Sequence, residues 1–293
     1  MRKNDDGWLA LALTQHLGGS KLRALRAAFG DDAGAVLTAT DEALQAVRGI
    51  GPKLSAAIRA LGPGAAVPVE RWAAAGLSWA LVDTPGYPEA LYALEDPPAL
   101  IVQRGVPALQ DCYPLRLALV GTRTPSRAAE ACAERIAYLA AARGALIVSG
   151  LALGIDTAAH RGALAAGGRT IAVLGGGVLK PYPPENRALA DILLGCGMLL
   201  SEKEPYALAR TPALVARNRI ISALAQVLVV AETSVEGGAM HAARRALALG
   251  RPVFTRDTPD SGNQALLAAG AQPLAEDAEA ALEQLWPAQS NPS

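Results

Sequence analysis

Leu117-Ala-Leu-Val-Gly-Thr-Arg-Thr-Pro-Ser-Arg127 decides the fold. Four apolar residues stop at a glycine and a basic, proline-bearing turn, and residues 128–143 behind them carry the spacing of an amphipathic helix. The unit then repeats. Ala145-Leu-Ile-Val148 stops at Ser149-Gly150 ahead of a helix near 156–166, and Thr170-Ile-Ala-Val-Leu174 stops at Gly175-Gly-Gly177 ahead of a helix over 185–195. Met198-Leu-Leu-Ser201, Gln226-Val-Leu-Val-Val230 and Pro252-Val-Phe-Thr255 supply further strands, with helices near 212–225 and 237–249. Short apolar strands alternating with helices call for a parallel sheet covered on both faces. The expected class is α/β, an extended Rossmann-like sheet over 116–275.

Upstream, residues 65–115 are punctuated by prolines, in Thr84-Pro-Gly-Tyr-Pro-Glu89 and Glu95-Asp-Pro-Pro98 before Ala99-Leu-Ile-Val102, and read as an extension feeding the sheet. Residues 1–64 read as a small all-helical N-terminal domain. Lys21-Leu-Arg-Ala-Leu-Arg-Ala-Ala-Phe-Gly30 ends on a glycine stop, and Leu61-Gly-Pro-Gly64 breaks the helical spacing. Val47-Arg-Gly-Ile-Gly-Pro-Lys53 has the form of the hairpin in helix-hairpin-helix modules, where glycine N–H groups meet a DNA phosphate; a plain inter-helix turn is the other reading. Residues 276–293 read as an acidic amphipathic helix, Glu276 to Trp286, and a frayed tail.

With 51% hydrophobic residues but only 4% aromatics, the core must be built from alanine, leucine and glycine at close range. Net charge is zero, which excludes a general basic coat and confines any polyanion site to a local patch. Cys112, Cys132 and Cys196 have no metal-ligand spacing and read as reduced, packed thiols. No apolar stretch is long enough to span a bilayer and the first residues form no signal peptide, so the expected location is the cytoplasm, away from membranes.

In a doubly wound sheet, ligands sit beyond the carboxyl ends of the strands. Gly121, Gly150, Gly154 and Gly175 to Gly177 fall at such ends, where glycine admits a phosphate to the backbone; tight turns without a ligand are the alternative. Arg123, Lys180, Arg217 and Arg219 flank the same ends. Between 205 and 256, seven arginines (210, 217, 219, 244, 245, 251, 256) face two glutamates (232, 236), although Arg244 and Arg245 suit a solvated helix face. Neither Gly-x-Gly-x-x-Gly nor a P-loop is present, His16, His160 and His241 form no paired metal motif, and no Gly-x-Ser-x-Gly elbow exists. Asp156 and His160 share a helix face and read as a helix cap and a structural hydrogen bond rather than as an acid–base pair. No catalytic residue, metal or cofactor is expected.

Val120-Gly-Thr-Arg123, Ser149-Gly-Leu-Ala-Leu-Gly-Ile-Asp-Thr-Ala-Ala-His160, Thr170-Ile-Ala-Val-Leu-Gly-Gly-Gly177, Tyr182-Pro-Pro-Glu-Asn186, Leu200-Ser-Glu202, Ala216-Arg-Asn-Arg-Ile-Ile221 and Gly270-Ala271 follow in one order, with Tyr87-Pro88 and Asp96-Pro-Pro98 upstream. This series resembles the DprA/Smf DNA-processing proteins over about residues 80–272. The resemblance implies an extended Rossmann domain with a positive pocket for single-stranded DNA, a sterile-alpha-motif-like N-terminal domain, and a homodimer. It further implies loading of the RecA recombinase during natural transformation, with single-strand-binding protein as a further partner. Carried over by motif, the DNA-binding residues expected are Gly121, Thr122, Arg123, Ser149, Gly150, Lys180, Asn186, Arg187, Arg217, Asn218, Arg219, Gly237 and Gly238. Gly237-Gly-Ala-Met-His241 departs from the family's usual Ser-Gly-Ser-Leu pattern, Phe254-Thr-Arg-Asp-Thr-Pro259 lacks the usual Val-Pro-Gly, and a winged-helix-like C-terminal domain has no counterpart after Trp286. The alternative is a nucleotide-processing, phosphoribohydrolase-like enzyme. It rests on Glu236-Gly-Gly238, without the proline, Gly-Thr and trailing glutamate of that family's loop.

Overall fold

Alternation cannot identify the central strands, because both of their faces are buried. In the computed structural model, which describes residues 3–107 and 113–286, β3 (Arg116–Val120), β4 (Leu146–Ser149), β5 (Thr170–Val173), β6 (Met198–Ser201), β7 (Val227–Val230) and β8 (Val253–Arg256) are buried almost throughout. Continuous apolar runs are what a sheet with helices on both sides requires. Two antiparallel strands from the proline-punctuated segment, β1 (Leu77–Leu81) and β2 (Leu100–Gly105), and a short β9 (Gln272–Leu274) complete a nine-stranded sheet in the order β1-β2-β6-β5-β4-β3-β7-β8-β9. From β6 to β9 all pairings are parallel; β2 meets β6 antiparallel. The α/β, Rossmann-like class is therefore the observed one.

One face is covered by α7 (Arg127–Ala142), α8 (Ile155–Ala165) and α14 (Ala278–Leu285). Alanines 129, 133, 137 and 140 of α7 meet alanines 158, 159 and 163 of α8. A Cβ on Gly162 would come within 2.1 Å of the Glu134 carbonyl, so glycine is required for this approach. The low aromatic content is thus a packing device. The acidic helix expected after residue 276 is α14, with Leu282 and Leu285 buried on this face. Residues 287–293 and Cys112 lie outside the described residues; Cys132 and Cys196 are free and half-buried.

The opposite core is continuous from the sheet into the N-terminal helices α1 (Lys3–Ala12), α2 (Gly19–Phe29), α3 (Ala33–Thr38), α4 (Asp41–Gln45) and α5 (Pro52–Leu61). It also takes in α6 (Val69–Ala74), whose Trp72 stacks edge-on against Trp79 of β1 at 5.5 Å. α2 docks on the 95–98 loop through backbone. Gly19 donates to Pro97 O at 2.8 Å, Ser20 N–H to Asp96 Oδ1 at 3.1 Å, and Ser20 Oγ to Glu95 O at 2.8 Å. Completing this face are α9 (Arg187–Leu193), α10 (Thr211–Ala216), α11 (Asn218–Leu224), α12 (Gly238–Ala248) and α13 (Ser261–Ala268). The helix expected over 212–225 is two, meeting at Arg217. Among the described residues, no helix is long and apolar enough to cross a membrane.

Candidate functional site

Strand order reverses at β3. From β3 the chain steps through β4 and β5 to β6, then returns to place β7 on the other side of β3. The carboxyl ends of β3 and β7 therefore diverge into loops on opposite faces, and the crevice between them is where such sheets bind ligands. A cleft of about 370 Å³ opens there. Val120 to Arg123 supply one wall, Thr233 to Gly238 the other, and Asp156, Leu214, Arg217 and Asn218 the floor and flank.

Arg217 dominates the floor. It is 5% exposed, and its guanidinium donates to the carbonyls of Gly150 and Val173 at the ends of β4 and β5 and pairs with Asp156 at 3.4 Å. Gly150 leaves room for the guanidinium, which occupies the space a Cβ would fill. Burial pushes the Asp156 carboxyl up, with the Arg217 charge and the Ala152 N–H pulling against it. The Arg217 Nε–H has no partner among the described residues, so one donor of a buried cation beside the cleft stays unspent. Arg123 is exposed on the rim and lines both this cleft and a smaller one of about 100 Å³ that also contains Gly150, Leu153, Tyr182 and Pro183.

The loop after β4 is held in an unusual shape. Leu151 is left-handed, with φ of 64°, yet fully buried. Both of its backbone groups are tied: its N–H to His160 Nε2 at 3.3 Å, and its carbonyl to Asn186 Nδ2 at 2.9 Å. Asn186 also donates to the Ala152 carbonyl and to Thr157 Oγ1, while His160 Nδ1 bonds Thr170 Oγ1 at 2.7 Å. Burial holds the His160 imidazole down at about 3, so it is neutral. His160 thus has the structural role expected of it. Asp156 does not cap α8, whose N-cap is Gly154 with no side-chain bond; its carboxylate is turned to Arg217 and Ala152 instead.

Of the residues singled out in the sequence, Gly121, Thr122, Arg123, Arg217, Asn218, Gly237 and Gly238 share the switch-point cleft, and Gly150 the smaller one. The expectation of one common pocket is corrected for the others. Ser149 is fully buried, its hydroxyl donating to Leu119 O. Asn186 is spent on Leu151, Ala152 and Thr157. Arg219 is drawn the other way, to Glu202 and to the Asp96 carbonyl at 3.1 Å. Lys180 and Arg187 line a separate hollow. Gly175 to Gly177 are buried, and a Cβ on any of them would strike the backbone of residues 204–214, so they seat a chain segment and not a ligand. Sequence reasoning passed over Thr233, Ser234, Asp156 and His241 as cleft residues, although the Asp156–His160 spacing was visible. No cluster that could hold a metal ion occurs among the described residues.

The sequence profile of the DNA recombination-mediator protein A family matches residues 78–285. A DNA processing protein DprA from Bacillus subtilis is 35% identical over 179 residues, 61% of this chain and 60% of that protein. The match to a protein Smf from Synechocystis is 36% over 182 residues and 46% of its length. The aligned part of the chain thus spans between about half and three fifths of these relatives. Among solved structures, DNA processing protein A from Streptococcus pneumoniae superposes with a TM-score of 0.76 at 26% identity, over 95% of this chain and 98% of that one. The Helicobacter pylori protein, described for its single-stranded DNA binding mode, gives 0.63 at 29% over 71% and 95%.

Proposed function

The chain belongs to the DNA recombination-mediator protein A family, and from that premise we propose that it binds single-stranded DNA in the switch-point cleft. The observation that carries the reading is Arg217, buried across the ends of β4 and β5 with an unspent Nε–H, beside an exposed Arg123 that no acidic side chain pairs among the described residues. A backbone phosphate fits between them. The Arg123 guanidinium supplies a mobile fork, while Arg217 and the Asn218 amide fix the floor. Bases stay outside, against Tyr182 (44% exposed) and Leu153 (39% exposed) on the smaller cleft. Thr122 and Gly121 on one wall, and Gly237 and Gly238 on the other, complete the contact. The Helicobacter pylori relative, described for its single-stranded DNA binding mode, supports the same ligand.

Within recombination, the bound strand is handed to the RecA recombinase, in natural transformation and in competition with single-strand-binding protein, by a homodimer of this chain. The test is strand affinity with Arg123→Ala. Binding should weaken, with the slope of log affinity against log salt falling by about 0.7, the share of one phosphate on a single strand. Unchanged affinity would remove Arg123 from the site.

A second reading rests on Glu236, which sets a carboxylate on the rim of the same cleft beside Gly237 and Gly238. A nucleotide-processing enzyme would release free base from nucleoside monophosphates and lose that activity in Glu236→Gln. Absence of release by the unmodified protein rejects it.

A further inference from the structure

A second hollow is richer in cations than the switch-point cleft. It lies across the 179–187 segment from it. Tyr182, Pro183 and Glu185 of that segment line the small cleft shared with Arg123 and Arg217. Leu179, Lys180, Pro181 and Arg187 line a different hollow of about 290 Å³, together with Arg104 and Asp191. The segment is a ridge between two basins.

Three separate elements bring the cations together. Arg104 comes from β2, in register with Leu199 of β6. Lys180 sits on the turn closed by its own N–H to Gly177 O and anchored by Leu179 N–H to Pro205 O at 2.9 Å. Arg187 opens α9, with Asp191 one turn later on the same face. None of the three cationic side chains has an ion-pair or hydrogen-bond partner among the described residues. The hollow therefore holds three positive groups against one carboxylate. The switch-point cleft holds Arg123 and Arg217 against two carboxylates, Glu236 in its lining and Asp156, which pairs with Arg217. In a chain of zero net charge, three unpaired cations from three elements make a local field that a polyanion would neutralise.

We propose that Arg104, Lys180 and Arg187 form a second phosphate station, which takes backbone phosphates of the same single strand after it crosses the Tyr182 ridge. This inference rests on the strand-binding reading of the first cleft. The strand is gripped at two basins, with the exposed Tyr182 ring between them as a surface for a base to stack on. The shared chemistry is an anionic phosphate group. A free nucleotide could supply it too, and the experiment separates the two sources.

The full chain and two variants, Lys180→Ala/Arg187→Ala and Arg123→Ala, are titrated with labelled oligothymidylates of roughly 4 and roughly 16 nucleotides, the range of single-strand sites. Each is measured at several salt concentrations after thermal melting has shown it folded. The double variant should bind the short strand as the parent does, but lose affinity for the long one, with a salt slope smaller by about 1.4 for two lost phosphate contacts. Arg123→Ala should weaken both lengths. Restoring charge with Lys180→Arg/Arg187→Lys should restore the long-strand slope. A double variant that keeps the parent's long-strand slope overturns the second station while leaving the first cleft intact. Saturable binding of thymidine monophosphate, abolished in the double variant with strand binding untouched, overturns it in favour of a free-nucleotide site. If the parent binds neither oligonucleotide at low salt, the strand-binding reading itself fails and takes this one with it.

Discussion

Arg217 and Asp156 are the residue pair on which the site's shape depends, since each is buried and each would be left as an uncompensated charge without the other. Arg217→Ala should cost about 3–5 kcal/mol of stability, the usual penalty for stranding one half of a buried pair. Chemical denaturation reads it directly. Arg123→Ala, on the exposed rim, should leave the denaturation midpoint in place while weakening the strand. Two arginines near one cleft thus separate into a structural floor and a binding rim. His160 adds a pH signature. Its folded-state value of about 3 lies below the ordinary 6.5, so its contribution is complete above pH 6.5 and is lost as the pH falls toward 3, because the unfolded chain takes up the proton first. The upward shift of Asp156 acts in the opposite sense above the ordinary carboxylate range, so His160 must be isolated by comparison. His160→Gln should flatten the decline of stability with acid relative to the parent, at up to about 1.4 kcal/mol per pH unit. An identical pH profile in the variant would reject the assignment. None of this pairing was legible in the sequence. Asp156 read as a helix cap because its partner lies 61 positions away, and Asn186 read as a ligand contact because its acceptors, the Leu151 and Ala152 carbonyls of the left-handed turn and the Thr157 hydroxyl of α8, lie about 30 positions away.

At the scale of elements, the parallel strands were readable as short apolar runs and most helices by their spacing. The loop after β3 was marked by Gly121, whereas the loop after β7 has no glycine before Gly237 and was not marked as a strand-end site. What escaped reading were the elements whose partners are remote. β1 is only half buried along its length and β9 is three residues with a proline, so neither carries a pattern that stands out from loop. Helix spacing runs unbroken through 211–224, and the break at Arg217 comes with the pull of its side chain under the strand ends. Lys180 and Arg104 could not be grouped because β2 joins antiparallel from the far side of the sheet. Arg219 is the link between elements: through Glu202 and the Asp96 carbonyl it fixes the 95–98 loop on which α2 docks. A methyl group on Gly19 would stand 2.4 Å from the Pro97 carbonyl. Gly19→Ala should therefore loosen that docking, raising amide exchange at Ser20 and in α2. The salt slope for strand binding should stay as in the parent. Loss of binding in Gly19→Ala would mean that the N-terminal helices hold part of the site.

For the whole molecule, neutrality is compatible with the proposed strand binding because charge is sorted. Several cations are spent within the protein: Arg23 on Asp83, Arg59 on Asp41, Arg135 and Arg143 on the acidic α14, and Arg217 and Arg219 on Asp156 and Glu202. The unpaired ones that matter collect at the carboxyl edge of the sheet and across the 179–187 ridge. We propose that this edge holds a single strand by its phosphates, with bases splayed outward. It is tested by measuring the affinity of the full chain for a labelled oligothymidylate and for a duplex of equal length, at low and at physiological salt. The expected result is tighter binding of the single strand, falling by an order of magnitude or so as salt rises, as release of condensed counterions requires. Equal affinity for the duplex, or binding indifferent to salt, would contradict it.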